Sequence, residues 1–115
     1  MRAILIDDDA LCLGIEASIL ENVEMIDELH AFQSVNDFIS YISEEQVDVA
    51  FLDIMMDDAD GVSLAMEIKR LQPQCKIIFV SSSREFALEA FQVYASGYLL
   101  KPMTEDEVIS VLSNI

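Results

Sequence analysis

The sequence predicts one doubly wound α/β domain, a five-stranded parallel sheet flanked on both faces by five helices. Three observations carry that expectation. Short apolar runs of strand length alternate with stretches of helical periodicity along the whole chain. Several runs end in polar loops rather than in hairpin turns, and strands joined through helices pair in parallel by right-handed crossovers. The 115 residues, 53% of them apolar, fill one core and one domain.

Ala3 to Ile6 is an apolar run stopped by Asp7-Asp8-Asp9, which predicts a buried strand ending in a polar loop. Leu11, Ile15, Ile19 and Leu20 then recur at helical spacing up to about Asn22, with an Asp as N-cap. Met25 to Phe32 is less apolar and predicts an edge strand, with His30 at its surface. Ser34 with Asp37 has the pattern of a capping box for a helix to about Ser43. Val47 to Leu52 predicts a central strand.

Leu64, Ile68 and Leu71 form a helical stripe that Pro73 ends. Lys76 to Val80 predicts a fourth strand, stopped by Ser81-Ser82-Ser83. Ser82 and Glu85 suggest another capping box, opening a helix to about Ala95 whose apolar positions are Phe86, Ala87, Ala90, Phe91 and Tyr94. Gly97 marks its stop, Tyr98 to Leu100 the last strand, and Thr104 with Glu107 the cap of a final helix. That helix reaches Ile115 without a Gly or Pro stop, so the domain is expected to be a fragment of a longer chain.

The excess of 22 acids over 6 bases, a formal charge of −16, repels nucleic acid and anionic lipid, so this domain is expected to bind neither directly. No apolar run approaches the twenty residues of a membrane span or resembles a signal peptide, which points to the cytoplasm. Cys12 and Cys75 lack metal-thiolate spacing and read as reduced structural thiols, and the six methionines as core filling.

In a doubly wound sheet, ligands bind beyond the carboxyl ends of the strands. Asp7, Asp8, Asp53, Ser81 and Lys101 all fall at those ends. Like charges about 4 Å apart repel by about 4 kcal/mol at an effective dielectric near 20, a conflict that a divalent cation resolves. An all-oxygen donor set suits Mg²⁺ or Mn²⁺ and disfavours zinc. With such an ion, one carboxylate can attack a phosphoryl group while a lysine and a hydroxyl meet the charge on its oxygens. The favoured assignment makes Asp53 the nucleophile, Asp8 a direct metal ligand and Asp7 a ligand through water. Lys101 then serves as counter-ion and Ser81 as donor to the phosphoryl group. The acidic turn Asp57-Asp58-Ala59-Asp60-Gly61 lacks the alternation and distal Glu of a calcium loop and reads as a polar turn.

The Asp7-Asp8 pair, Asp53 with Gly61 beyond its loop, Ser81, and Tyr98 with Lys101-Pro102 together resemble a response regulator receiver domain over essentially the whole chain. The resemblance implies a flavodoxin-like fold with strand order 2-1-3-4-5. It implies a signalling domain that catalyses only its own phosphorylation and dephosphorylation, with a sensor histidine kinase as donor and the Met55 carbonyl completing the metal site. Ser81 and Tyr98 would act as a switch that remodels the face of the fourth helix, fifth strand and fifth helix, controlling an output domain or partner and offering a homodimer surface. It further implies a cis Lys101-Pro102 bond and tuning of the phosphoryl lifetime by Met55 and Ser83. Ala87 to Phe91 with Tyr98 to Pro102 look most like receivers that precede LytTR-type DNA-binding domains. Three positions depart from the family pattern: Asp57 replaces the common Pro, Ser81 the common Thr, and Gly97 a frequent acid.

Other readings compete. A haloacid-dehalogenase-type phosphatase would use Asp7 as nucleophile, leaving Asp53 without a task. A flavodoxin-like flavin carrier shares the topology, yet three aspartates in its first loop would repel a phosphate. A docking module that is never phosphorylated would not need the full set of acids, hydroxyl and lysine.

Overall fold

The computed structural model describes residues 1–56 and 60–115. The turn residue Asp57, with its departure from the usual Pro, lies outside the described residues. The chain runs β1 (Arg2–Ile6), α1 (Ala10–Glu21), β2 (Glu28–Phe32), α2 (Val35–Glu44), β3 (Val49–Asp53), α3 (Gly61–Leu71), β4 (Lys76–Ser81), α4 (Ala87–Gln92), β5 (Gly97–Leu100) and α5 (Glu105–Ser113). The five strands pair in parallel in the order β2-β1-β3-β4-β5, as expected.

Alternation along the strands divides the core between the two faces. Ile4, Ile6, Leu52 and Phe79 pack with Phe38 and Ile42 of α2 and with Leu64 and Ile68 of α3. Leu5, Phe51, Ile78 and Val80 face the other way, toward Leu20 of α1 and Val108 and Leu112 of α5. The central strand β3 is buried along its whole length. That burial explains why its sequence is a continuous apolar run rather than an alternating one. Strand β2 is the half-exposed edge, where His30 Nε2 lies 2.7 Å from Glu28 Oε2.

Helix starts follow the sequence where a side chain can close the first turn. The Asp9 carboxylate accepts from the Leu11 and Cys12 N–H groups, Ser34 from Asp37 and Asp60 from Ser63, while Thr104 and Glu107 form the reciprocal box. Helix α4 departs from expectation. It begins at Ala87, not after Ser82, its N-cap Phe86 makes no side-chain capping bond, and it ends at Gln92 rather than near Ala95. Ser83 instead accepts the Glu85 N–H, so the serine run builds a turn of its own.

The apolar face of α4 also differs. Ala90 is buried, but Leu88, Phe91 and Tyr94 are 66%, 79% and 82% exposed. On α1, Leu11 and Ile15 likewise face solvent, and the inward positions are Glu16 and Leu20. Met55 and Met66 are exposed as well, so the methionines are not uniformly core filling. Gly97 is no helix stop: it opens β5, where an added Cβ would lie 2.3 Å from Val111 Cγ2. Cys12 and Cys75 are both free.

Tyr94 follows α4 with φ 59°, a left-handed conformation in which a side chain costs about 1–2 kcal/mol. Because its ring is exposed, Tyr94→Gly is expected to stabilise the domain by roughly 1 kcal/mol, read as a higher urea midpoint.

Candidate functional site

Parallel strands deliver their carboxyl ends to the same rim, and register decides which side chains meet there. Ile6 pairs with Leu52, so Asp7 and Asp53 emerge side by side from the two central strands. Asp53 pairs with Val80 and Ser81 with Leu100, which brings Ser81 and then Lys101 to the same edge. Gly61 closes the loop after Asp53, donating its N–H to the Ile54 carbonyl at 2.7 Å. A Cβ at Gly61 would come within 2.3 Å of the Asp53 carbonyl oxygen, so only glycine permits that approach.

The rim gathers the residues singled out in the sequence. Asp7, Asp8 and Asp53 each present an oxygen within 4.8 Å of the others, and Asp7 and Asp53 are buried. Lys101 Nζ lies 2.9 Å from Asp7 Oδ2 and 3.6 Å from Asp53 Oδ1. Buried Ser81 accepts the Ser83 N–H at 3.2 Å through its Oγ, and the Tyr98 hydroxyl donates to the Ser83 carbonyl. The β4–α4 turn is therefore tied at one end to the site and at the other to β5. The Lys101-Pro102 bond is cis.

Glu16 was not among the sequence candidates. It is 5% exposed on α1 and stands 3.9 Å from Lys101 Nζ, beside the Asp7 carboxyl. A trace of it was available, since Glu16 precedes the core residue Leu20 by one helical turn. The apolar stripe through Leu11 and Ile15 pointed to the wrong face.

Crowding shapes the ionisation of the rim. Burial, opposed by Lys101 and reinforced by the charge of Asp7, raises Asp53 to about 6; the Met55 N–H pulls the other way and Asp8 adds to the rise. Burial and the bond to Asp7 raise Glu16 to about 8. Asp7 shifts oppositely: burial works against it, but its bonds to Lys101, Glu16 and the Asp9 N–H hold it below the usual carboxylate range. For Lys101, burial is outweighed by Asp7 and Asp53, and its pKa rises.

These residues fit a hard divalent cation. Three clustered carboxylates supply oxygen donors within 4.8 Å of one another, the set a hard cation prefers. Asp7, Asp8 and Asp53 could together hold such an ion.

The fold and site define a class, and sequence comparison agrees. The response regulator receiver domain family matches residues 3–113, and the chain belongs to it. Among curated relatives, the sensory transduction protein LytR of Staphylococcus epidermidis is 27% identical over 115 residues, covering 100% of this chain and 46% of that protein. The sensory transduction protein LytT of Bacillus cereus is 27% identical over 112 residues, covering 97% of this chain and 46% of that protein. The chain spans about half the length of the curated relatives it matches. The response regulatory domain of mrkE from Klebsiella pneumoniae superposes with a TM-score of 0.86 at 29% identity, covering 98% of this chain and 93% of that one. The haloacid-dehalogenase alternative finds no support in these matches.

Raised carboxyls contribute stability below their unfolded pKa values and lose it as pH rises through the folded ones, here about 6 and about 8. The metal-free chain is therefore expected to melt higher at pH 5.5 than at pH 8.5. Asp53→Asn should stabilise it at pH 7 by roughly 1–3 kcal/mol, measured by thermal unfolding in EDTA.

Proposed function

We propose that this chain is a phosphorylatable receiver of a two-component system, with Asp53 as phosphoacceptor. The observation that carries the reading is the convergence of Asp7, Asp8, Asp53, Ser81 and Lys101 on one rim of a receiver fold. A sensor histidine kinase presents a phosphohistidine. An Asp53 oxygen forms a bond to phosphorus as the bond from phosphorus to the imidazole nitrogen breaks, the electron pair leaving with the nitrogen. Mg²⁺ or Mn²⁺, when bound, neutralises charge on the transferring oxygens. Lys101 turns from Asp7 toward the new phosphoryl group, over a gap already only 3.6 Å from Asp53 Oδ1.

Ser81 Oγ rotates to donate to the same group, and its bond from the Ser83 N–H is then given up. Because Tyr98 donates to the Ser83 carbonyl, movement of that turn releases Tyr98, and the face of α4, β5 and α5 changes shape. The exposed Leu88, Phe91 and Tyr94 on and beside α4 support a docking role for that face, toward an output domain, a target protein or a second copy. The LytR and LytT likeness favours an attached DNA-binding output. The charge of −16 argues against nucleic acid binding by this domain itself. Among the described residues no helix is long and apolar enough to cross a membrane, and we assign the domain to the cytoplasm beside its kinase.

Asp53→Asn is expected to abolish labelling by a small phosphodonor with Mg²⁺; residual labelling, or phosphatase turnover that survives the change, overturns the assignment. Met55 lies two residues after Asp53 and is 62% exposed. Met55→Asn, by guiding water to the acyl phosphate, should change its hydrolysis rate several-fold, about 1 kcal/mol in barrier, in single-turnover decay.

A further inference from the structure

Of the three carboxylates clustered on the rim, Asp7 and Asp53 are buried, whereas Asp8 is only half-buried. Packing fixes the first two. Two like charges beside Asp8 favour a swing of its side chain toward water, so its place depends more than theirs on how firmly its backbone is held.

One peptide unit is held at both ends. The Asp8 carbonyl accepts the side-chain amide of Gln33, Nε2 to O at 3.1 Å, and the N–H across the same peptide bond, that of Asp9, donates to Asp7 Oδ1 at 2.9 Å. A planar peptide gripped at its oxygen and its nitrogen resists rotation, and its orientation aims the adjoining Asp8 side chain. Gln33 is itself anchored. Phe32 before it ends β2 and accepts the Asp7 N–H at 3.2 Å, and Ser34 after it caps α2 through the Asp37 N–H at 3.3 Å. The amide therefore braces the loop between β1 and α1 from two regular elements, and it brings no charge to the cluster.

The chemistry proposed above gives Gln33 no task. We infer that Gln33 is a positioning residue for Asp8, its side-chain amide locking the peptide between Asp8 and Asp9 so that Asp8 keeps an oxygen within 4.8 Å of those of Asp7 and Asp53. The inference rests on the receiver reading, which makes a divalent cation the ligand of that cluster. An Asp8 set loose must be ordered when the ion binds, and that ordering lowers affinity.

Gln33→Met removes the donor while keeping the length of the side chain, and Gln33→Ala removes both. Hydrogen exchange in EDTA, read amide by amide by NMR, tests the lock without metal. In both variants the Asp9 N–H is expected to exchange about fivefold faster than in the unmodified chain, the effect of one lost hydrogen bond. The Val47 N–H, bonded to Gln72 Oε1 at 2.9 Å, should keep its rate. Affinity for Mg²⁺ alone, by calorimetry, should fall about threefold in both variants.

Unchanged exchange at Asp9 overturns the inference, as does faster exchange at Asp9 and Val47 alike, which is general loosening. Mg²⁺ affinity that holds at the unmodified value while Asp9 exchange rises also overturns it, because the lock then does not act on Asp8. If the unmodified chain itself binds no Mg²⁺, the receiver reading falls and the role toward the ion with it, whereas the exchange rates still decide whether Gln33 holds the peptide.

Discussion

Three carboxyl groups, those of Asp7, Asp53 and Glu16, close on the ammonium group of Lys101 at 2.9, 3.6 and 3.9 Å. That charge imbalance governs the rest of the rim. Burial first, and the bonds and charges of the cluster second, split the pKa values of its members: Asp7 is held below the usual carboxylate range, Asp53 rises to about 6 and Glu16 to about 8. The frustration remains because the fold tolerates it. Strands β1, β3 and β4 are largely buried and paired on both sides, and their stability fixes side chains that would otherwise move apart.

The same imbalance connects site and surface. Lys101 is bound to Asp7 in the structure, while Ser81 is occupied by the Ser83 N–H and Tyr98 by the Ser83 carbonyl. Each group that the phosphoryl chemistry needs is thus engaged elsewhere. Under the proposed function, a new anion on Asp53 would supply the differential interaction that redistributes those partners, which is what a two-state switch requires. The α4 segment suits the receiving end: it is six residues long, lacks a side-chain cap and exposes Phe91 and Tyr94, so little packing holds it in one place.

Similarity to LytR and LytT covers about half the length of those proteins, and the likeness to the mrkE domain extends over nearly the whole of both chains. The family match spans residues 3–113 and with them every residue of the rim.

Much of this was legible in the sequence for a physical reason. Strands buried on both faces must be continuous apolar runs, and β1, β3 and β4 are; caps such as Asp9, Ser34 and Thr104 act over three residues and leave a local trace. Asp7, Asp8, Asp53, Ser81 and Lys101 were readable because parallel strands all end on one side. What depends on packing between distant segments was not. Helix α4 is shorter than its periodicity because the turn after Ser81 bonds to itself and to Tyr98. Gly97 is small because Val111 of α5 lies against it. Glu16 became part of the site only when α1 folded over β1 and set its carboxyl beside Lys101, a contact across the fold that local spacing does not encode.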